Sequence, residues 1–591
     1  MAALFTTPKR NDKTSGAHFV EPDVRRRTLL AHGSWRRVTR RIVVGAVCAL
    51  TVSSLLMPSV SLAAEWVDVG GIRHEAAAGP TGDAAGTWSR DGADDMKLNG
   101  YNGGAIEAAG KLNVSYEGNN IVTNGDGHGI KVKDGANENA ELNIQGDASS
   151  TLNVTSSRDA ITSVGSINID GAGTVNATST EHDAIDAGGD VTIKGSGNVN
   201  ATGDSDGIRA DGNITIDNSG TVTAKATEDQ GIDANENLII KGGGKVEASS
   251  IKDNAIWADG NIEISGGSQV KASSEEDAAI DGKNSLTVTN ASLNASGVGY
   301  GIYVYKGITF DGATVTVRAS AGNDEASALF TDEDDIVIKN GSIVDAFAEG
   351  QFSTAISTRN YYPNEAGGHI YISDSVVKAI ARYVESGSDG PDHYSNDQSG
   401  AVIPEHRGVN IGIFARTKEG ITPATISIVR SKVTAEGDTA AIFALAVSAD
   451  GETIGTIEIE GAPIQTPTGG KIIGYRNKEE LDDGIFYVVG QTIGTGDAVI
   501  DSPYNEAVAK STVIAPPEEI KPEEKPGETK PEGSKSEGTK TTKTVAVAAT
   551  GAKIAGKLAA TGDASSAAIV AAALAGTAAI AAGAVVSRKR S

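Results

Sequence analysis

The sequence predicts an all-β fold, a right-handed parallel β-helix of about 24 residues per coil. Three observations predict it: an apolar-polar-apolar signal recurs at a nearly fixed spacing, glycine supplies 73 of 591 residues, and aromatics amount to only 4%. Strands starting at Leu142, Ile167, Val191, Ile214, Leu238, Ile262, Leu286 and Ile308 follow one another at intervals of 25, 24, 23, 24, 24, 24 and 22 residues. One period holds three extended pieces, 213–216, 221–224 and 231–234, each alternating with period two and bounded by Gly, Asn, Asp or Ser. Leucine-rich and ankyrin arrays need a helical stretch that this period lacks. Strands that stack on their equivalents at roughly 4.8 Å describe a parallel β-helix, and right-handed crossovers are the rule between parallel strands. Val222, Val246 and Val270, with Ala224, Ala248 and Ala272, take equivalent inward positions. A narrow prism of this kind needs small aliphatic side chains, which accounts for the scarcity of aromatics.

Residues 1–63 form a leader. They carry ten Lys/Arg and three Asp/Glu, with Arg36, Arg37, Arg40 and Arg41 immediately before the apolar run 42–56. Ser61 and Ala63 place small residues at the −3 and −1 positions of a cleavage site, the pattern of a secretory signal peptide with a long basic n-region. The single cysteine, Cys48, lies inside this run, so an intrachain disulfide and a Cys nucleophile are both excluded. Residues 64–110 are less regular and are expected to cap the open strand edges. The β-helix is expected over 111–510, with an insertion near 383–410 that contains Pro391, His393, Tyr394, Pro404 and His406; the region 470–510 is the candidate for the second cap.

Residues 511–557 are rich in Pro, Glu, Lys, Gly and Thr and are expected to form a disordered spacer, too poor in apolar surface to offset its chain entropy. Then follow Leu558-Ala559-Ala560-Thr561-Gly562, an apolar run over 567–586 long enough to span a bilayer as a helix, and Arg588-Lys589-Arg590, which the positive-inside rule keeps cytoplasmic. This tripartite tail, 558–591, resembles the cell-wall sorting signal of Gram-positive surface proteins, in the Leu-Ala-x-Thr-Gly variant with Ala559 replacing the usual proline. The resemblance implies that sortase cleaves after Thr561 and joins it to peptidoglycan, leaving the protein on the cell surface, with membrane contact only through the C-terminal segment before sorting. A retained membrane span is the alternative reading of each apolar run.

Charge narrows the partner. The whole chain carries −26; without leader and tail, residues 64–561 keep 38 cationic and 73 acidic side chains, a net charge of about −35. Such a polyanion disfavours nucleic acid and attracts cations such as Ca²⁺.

An Ile preceded by a small residue recurs at Ile161, Ile185, Ile208, Ile232, Ile256, Ile280 and Ile302. With Ile inward, the residues one and three places later face outward. They form one stripe of Asp186, Arg209, Asp233, Trp257, Asp281 and Tyr303, and a second that includes Asp211, Asn235, Asp259, Lys283 and Tyr305. Asp186, Arg209, Asp233, Trp257, Asp281, Tyr303 and Tyr305 are the candidate ligand-binding residues, the rings as stacking surfaces for sugar. Asp211, Asp233, Asp259 and Asp281 are the candidate Ca²⁺ ligands, because stacked carboxylates about 5 Å apart repel by roughly 1 kcal/mol in water and a cation relieves this. For any one of these residues the competing assignment is an ordinary solvated face. Asp159, Asp183, Asp206 and Asn254, two places before the Ile, are expected to satisfy turn backbone, with Ca²⁺ ligation as the alternative.

The repeat Asp206-Gly207-Ile208-Arg209-Ala210-Asp211-Gly212-Asn213-Ile214-Thr215-Ile216 resembles secreted β-helix carbohydrate-binding-domain proteins, including clostridial members linked to plant-cell-wall degradation. The resemblance covers roughly residues 100–345 and implies calcium-assisted binding of acidic polysaccharide, with a plant or host glycan as partner; it carries no established set of sugar-contacting residues to transfer, and no catalytic residue is assigned. A pectate-lyase-like enzyme is the alternative from another class, with Arg209 as its only proton-abstracting candidate; a protein-binding adhesin is the third reading. Gly127-His128-Gly129 and Asp334-Asp335 superficially match polygalacturonase elements but stand in the wrong order.

Overall fold

The computed structural model describes residues 65–75, 81–91, 94–135, 140–360, 367–384, 410–418 and shorter stretches between 424 and 516. All lie within one unit, Met1–Glu519. The expected leader, most of the insertion and of the spacer, and the sorting signal fall outside the described residues. Every described element is a β-strand, and among the described residues no helix is long and apolar enough to cross a membrane.

The strands pile into three long parallel stacks, the arrangement of a β-solenoid. A typical turn of chain contributes one strand to each stack, as in Ile214–Asn218, Thr221–Lys225 and Ile232–Ala234, before Leu238–Lys241 returns to the first, whereas Thr314–Thr331 and Ile343–Asn360 each run through both the second and the third stack. Registers are in phase. In the first stack Ile214 pairs with Leu238 and Leu238 with Ile262; in the second Val222 pairs with Val246 and Val246 with Val270; in the third Ile185, Ile208, Ile232 and Ile256 pair in succession. Alternation along each strand sends these side chains inward and their neighbours out. The seven recurring isoleucines are fully buried, as are Val222, Ala224 and Phe310, so one continuous aliphatic core runs along the axis. Burial of each such isoleucine contributes roughly 1.5–3 kcal/mol.

Glycine is required at two successive corners where the chain turns from the first stack to the second, whereas the next corner carries the buried Asn218. Gly171 and Gly195 adopt φ of 119° and 97°, and a Cβ on Gly195 would sit 2.3 Å from the carbonyl oxygen of Gly171 on the preceding turn. At Gly195 the corner thus excludes a side chain by direct contact with the preceding turn.

Antiparallel strands flank both ends. Trp66–Val69 pairs with Ile72–Glu75 and with Ile106–Ala109, and Trp88–Arg90 runs antiparallel to Asp95–Asn99, the first strand of the first stack. At the other end Asn505–Val508 and Ser511–Ile514 lie antiparallel to Ala440–Val447 and Lys432–Glu436. The last pairing brings Ser511–Ile514, composition-wise the start of the spacer, onto the solenoid.

Candidate functional site

The third stack aligns the first candidate stripe. Asp186 pairs with Arg209, Arg209 with Asp233, Asp233 with Trp257, Trp257 with Asp281 and Asp281 with Tyr303. Alternation places all six on the side opposite the isoleucines, but their availability differs. Asp233 is only 2% exposed, so this residue, expected at the surface, is shielded by its neighbours in the column.

Arg209 organises the acidic end. Its Nη1 donates to Asp186 Oδ1 at 2.7 Å, its Nη2 donates to Asp211 Oδ1, and its Nε lies 3.8 Å from Asp233 Oδ2. Burial alone pulls the guanidinium pKa down, yet Asp186, Asp211 and Asp233 outweigh burial and raise it. Arg209 is therefore held in its protonated form, paired to the carboxylates around it.

The four expected calcium ligands are not brought together. Asp211 Oδ1 accepts from Arg209 and, at 3.0 Å, from Asn235 Nδ2. Asp259 Oδ1 accepts from Lys283 Nζ at 2.5 Å and from the Trp257 indole N–H at 3.1 Å. The Lys283 ammonium also sits 5.1 Å above the Trp257 ring, a cation–π contact that covers one face of the indole. At Asp211 and Asp259 side-chain cations of the chain thus already sit on the carboxylates assigned to Ca²⁺.

Three other carboxylates converge instead. One oxygen from each of Asp159, Asp183 and Asp186 lies within 4.8 Å of the others, the one such group among the described residues. His128 Nδ1 adjoins it, 3.1 Å from Asp159 Oδ2. Asp183 and Asp206 also serve the backbone, but of the next turn rather than their own: Asp183 Oδ1 accepts the Asp206 N–H at 2.9 Å, and Asp206 Oδ1 accepts the Gln230 N–H at 2.8 Å. Asn254 departs from this series and donates its Nδ2 locally to Asp253 Oδ1. Burial, then Asp186, pushes the Asp183 carboxyl up to about 7; burial, then Asp183, pushes Asp206 well above its ordinary value. Burial also raises Asp186 against the opposing pull of Arg209. The donor set is hard oxygen, suited to a proton or to an oxygen-preferring cation.

The aromatic end is self-packed. The Tyr303 hydroxyl donates to Asp332 Oδ2 at 2.7 Å, and its ring stacks on Phe330 at 5.5 Å and contacts Tyr300 at 5.3 Å. Arg359 lies over Phe330 and pairs with Asp332. Tyr305 is half-buried. Gly127-His128-Gly129 and Asp334-Asp335 belong to turns of the solenoid many rungs apart, and Asp335 Oδ1 is taken by the His369 N–H.

Sequence reasoning missed the amide ladders. Asn200 Nδ2 donates to Asn176 Oδ1, Asn176 to Asn153 and Asn153 to Asn119, at 2.8–3.0 Å, along the second stack. Asn168, Asn143 and Asn113 do the same along the first, and Asn237 donates to Asn213 at the corner. The signal lies in the sequence, where Asn153, Asn176 and Asn200 each stand between two inward aliphatic residues. Compared with known protein families, curated proteins and solved structures, the chain matches none.

Proposed function

We propose that the protein is a wall-anchored surface adhesin that binds glycans without catalysis, on a right-handed parallel β-helix of about 24 residues per coil. The observation that carries the glycan reading is the in-register column in which Asp186, Arg209, Trp257 and Asp281, on either side of the shielded Asp233, set charged and ring side chains at the strand repeat of roughly 4.8 Å. An acidic polysaccharide with Ca²⁺ is the ligand class. Asp159, Asp183 and Asp186 are the carboxylates best placed to receive the cation, which would relieve their mutual repulsion and bridge to the carboxylates of the polymer. Anchoring runs through Thr561, with sortase and peptidoglycan as partners, after export of the chain.

Incubation of the full-length chain with polygalacturonate, with and without Ca²⁺, tests the reading. Calcium-dependent retention without product is expected; unsaturated oligosaccharide products would establish the lyase, and absence of retention on any glycan would favour a protein partner. For the anchor, release by wall digestion but not by detergent is expected, and Thr561→Ala abolishes it.

A further inference from the structure

We infer that the second stack carries a separate binding face for an uncharged polyhydroxyl polymer, an extended neutral glycan. The face spans five consecutive strands, Asn119–Asn124, Thr151–Ser156, Thr174–Ser179, Asn198–Thr202 and Thr221–Lys225. Their outward positions are Thr or Asn throughout, except Ile121, and the first charge is Lys225. On a chain of net charge −26, so long an uncharged stretch selects its partner: an ionic group pressed against it loses hydration and gains no countercharge.

The face is also rigid. Its central column is the amide ladder Asn200, Asn176, Asn153, which continues diagonally to Asn119 in the flanking column; each carboxamide of the column is oriented by its neighbour, and that of Asn153 also by the Asn120 carbonyl. Thr columns on either side, including the exposed Thr155 and Thr202, keep hydroxyls that both donate and accept. Groups fixed before binding lose little entropy on binding.

Size decides the kind of occupant. Five strands at about 4.8 Å and three columns about 6.6 Å apart define a face of roughly 19 by 13 Å. That is well below the ~800 Å² per partner of a stable protein interface, so neither a second copy nor a folded protein is served by it. A linear polymer lying along the stack, with hydroxyls meeting successive rungs, is. The inference rests on the glycan-binding reading above and adds a second polymer class on a second face.

The test is native affinity electrophoresis of the full-length chain through gels containing galactomannan, a neutral β-linked glycan, or polygalacturonate with Ca²⁺. Galactomannan is expected to retard the wild type. The double variant Thr155→Glu, Thr202→Glu should lose that retardation at least tenfold while its behaviour on polygalacturonate is unchanged, and Thr155→Ser, Thr202→Ser should keep it. An unretarded wild type, Glu variants that bind as wild type, or parallel loss on both polymers would each overturn the assignment. Failure on polygalacturonate alone would strike the acidic-glycan reading and leave this face standing.

Discussion

The second and third stacks share one interior and differ entirely outside. Inward, both present mainly aliphatic side chains in register, with small residues such as Ser156 and Ser179 at some strand ends. Outward, the second stack from Asn119 to Thr223 is an uncharged lattice of Thr and Asn apart from Ile121, whereas the third crowds Asp186, Arg209 and Asp233 into one column. The difference teaches that a solenoid separates scaffold from surface: period-two alternation reserves one side of each strand for the core and leaves the other side free for chemistry. It also shows two ways of holding adjacent turns together. Amides stack because each donates to the next, and carboxylates stack only with a guanidinium, a backbone N–H or a proton between them.

A core substitution should abolish the distinction. Ile232→Ala removes a fully buried side chain from the third stack and is expected to cost about 2–5 kcal/mol in chemical denaturation. Because turns couple to their neighbours, binding on both faces should weaken together; loss confined to one face would mean that the stacks are not one cooperative core.

Removing the keystone of the charged column should separate the faces. Arg209→Met leaves Asp186 and the buried Asp233 without their guanidinium and is expected to cost roughly 2–4 kcal/mol, with the neutral-polymer face unaffected at temperatures where the variant stays folded. A stability equal to wild type would show that the column tolerates its own repulsion.

The pH response should belong to the third stack alone. The folded-state pKa of Asp183, about 7, lies above the unfolded value near 3.9. Its stabilising contribution is therefore full below about pH 4 and is lost as pH rises through about 7. Without divalent cation, denaturation midpoints should fall between pH 5 and 8, by roughly 2–3 kcal/mol for this group. Asp183→Asn, which retains an acceptor for the Asp206 N–H, should flatten the slope; an unchanged slope would reassign the titration to another group.

The smallest effect is expected in the amide ladder. Asn176→Ala removes one bond donated and one accepted and should cost about 1–2 kcal/mol, independent of pH. A pH-dependent cost would connect the two faces.

Much of this scaffold was legible beforehand. Ile208, Ile232 and Ile256 could be assigned inward because a residue repeated on every turn must meet its own copies, and small or aliphatic side chains tolerate that contact. The outward stripe was legible as a list but not as a site. Nothing in the spacing says that Asp233 is shielded, that Lys283 reaches back to Asp259 and over Trp257, or that Asp159, Asp183 and Asp186 converge.

The sequence by itself determined the all-β character, the parallel stacking and the inward ladder, because these follow from alternation and recurrence along one chain. Only the tertiary structure decided which carboxylates share space and which are already neutralised. Those outcomes depend on side-chain reach across turns and on local burial, and a difference of one or two ångströms there separates an ion pair from an open ligand.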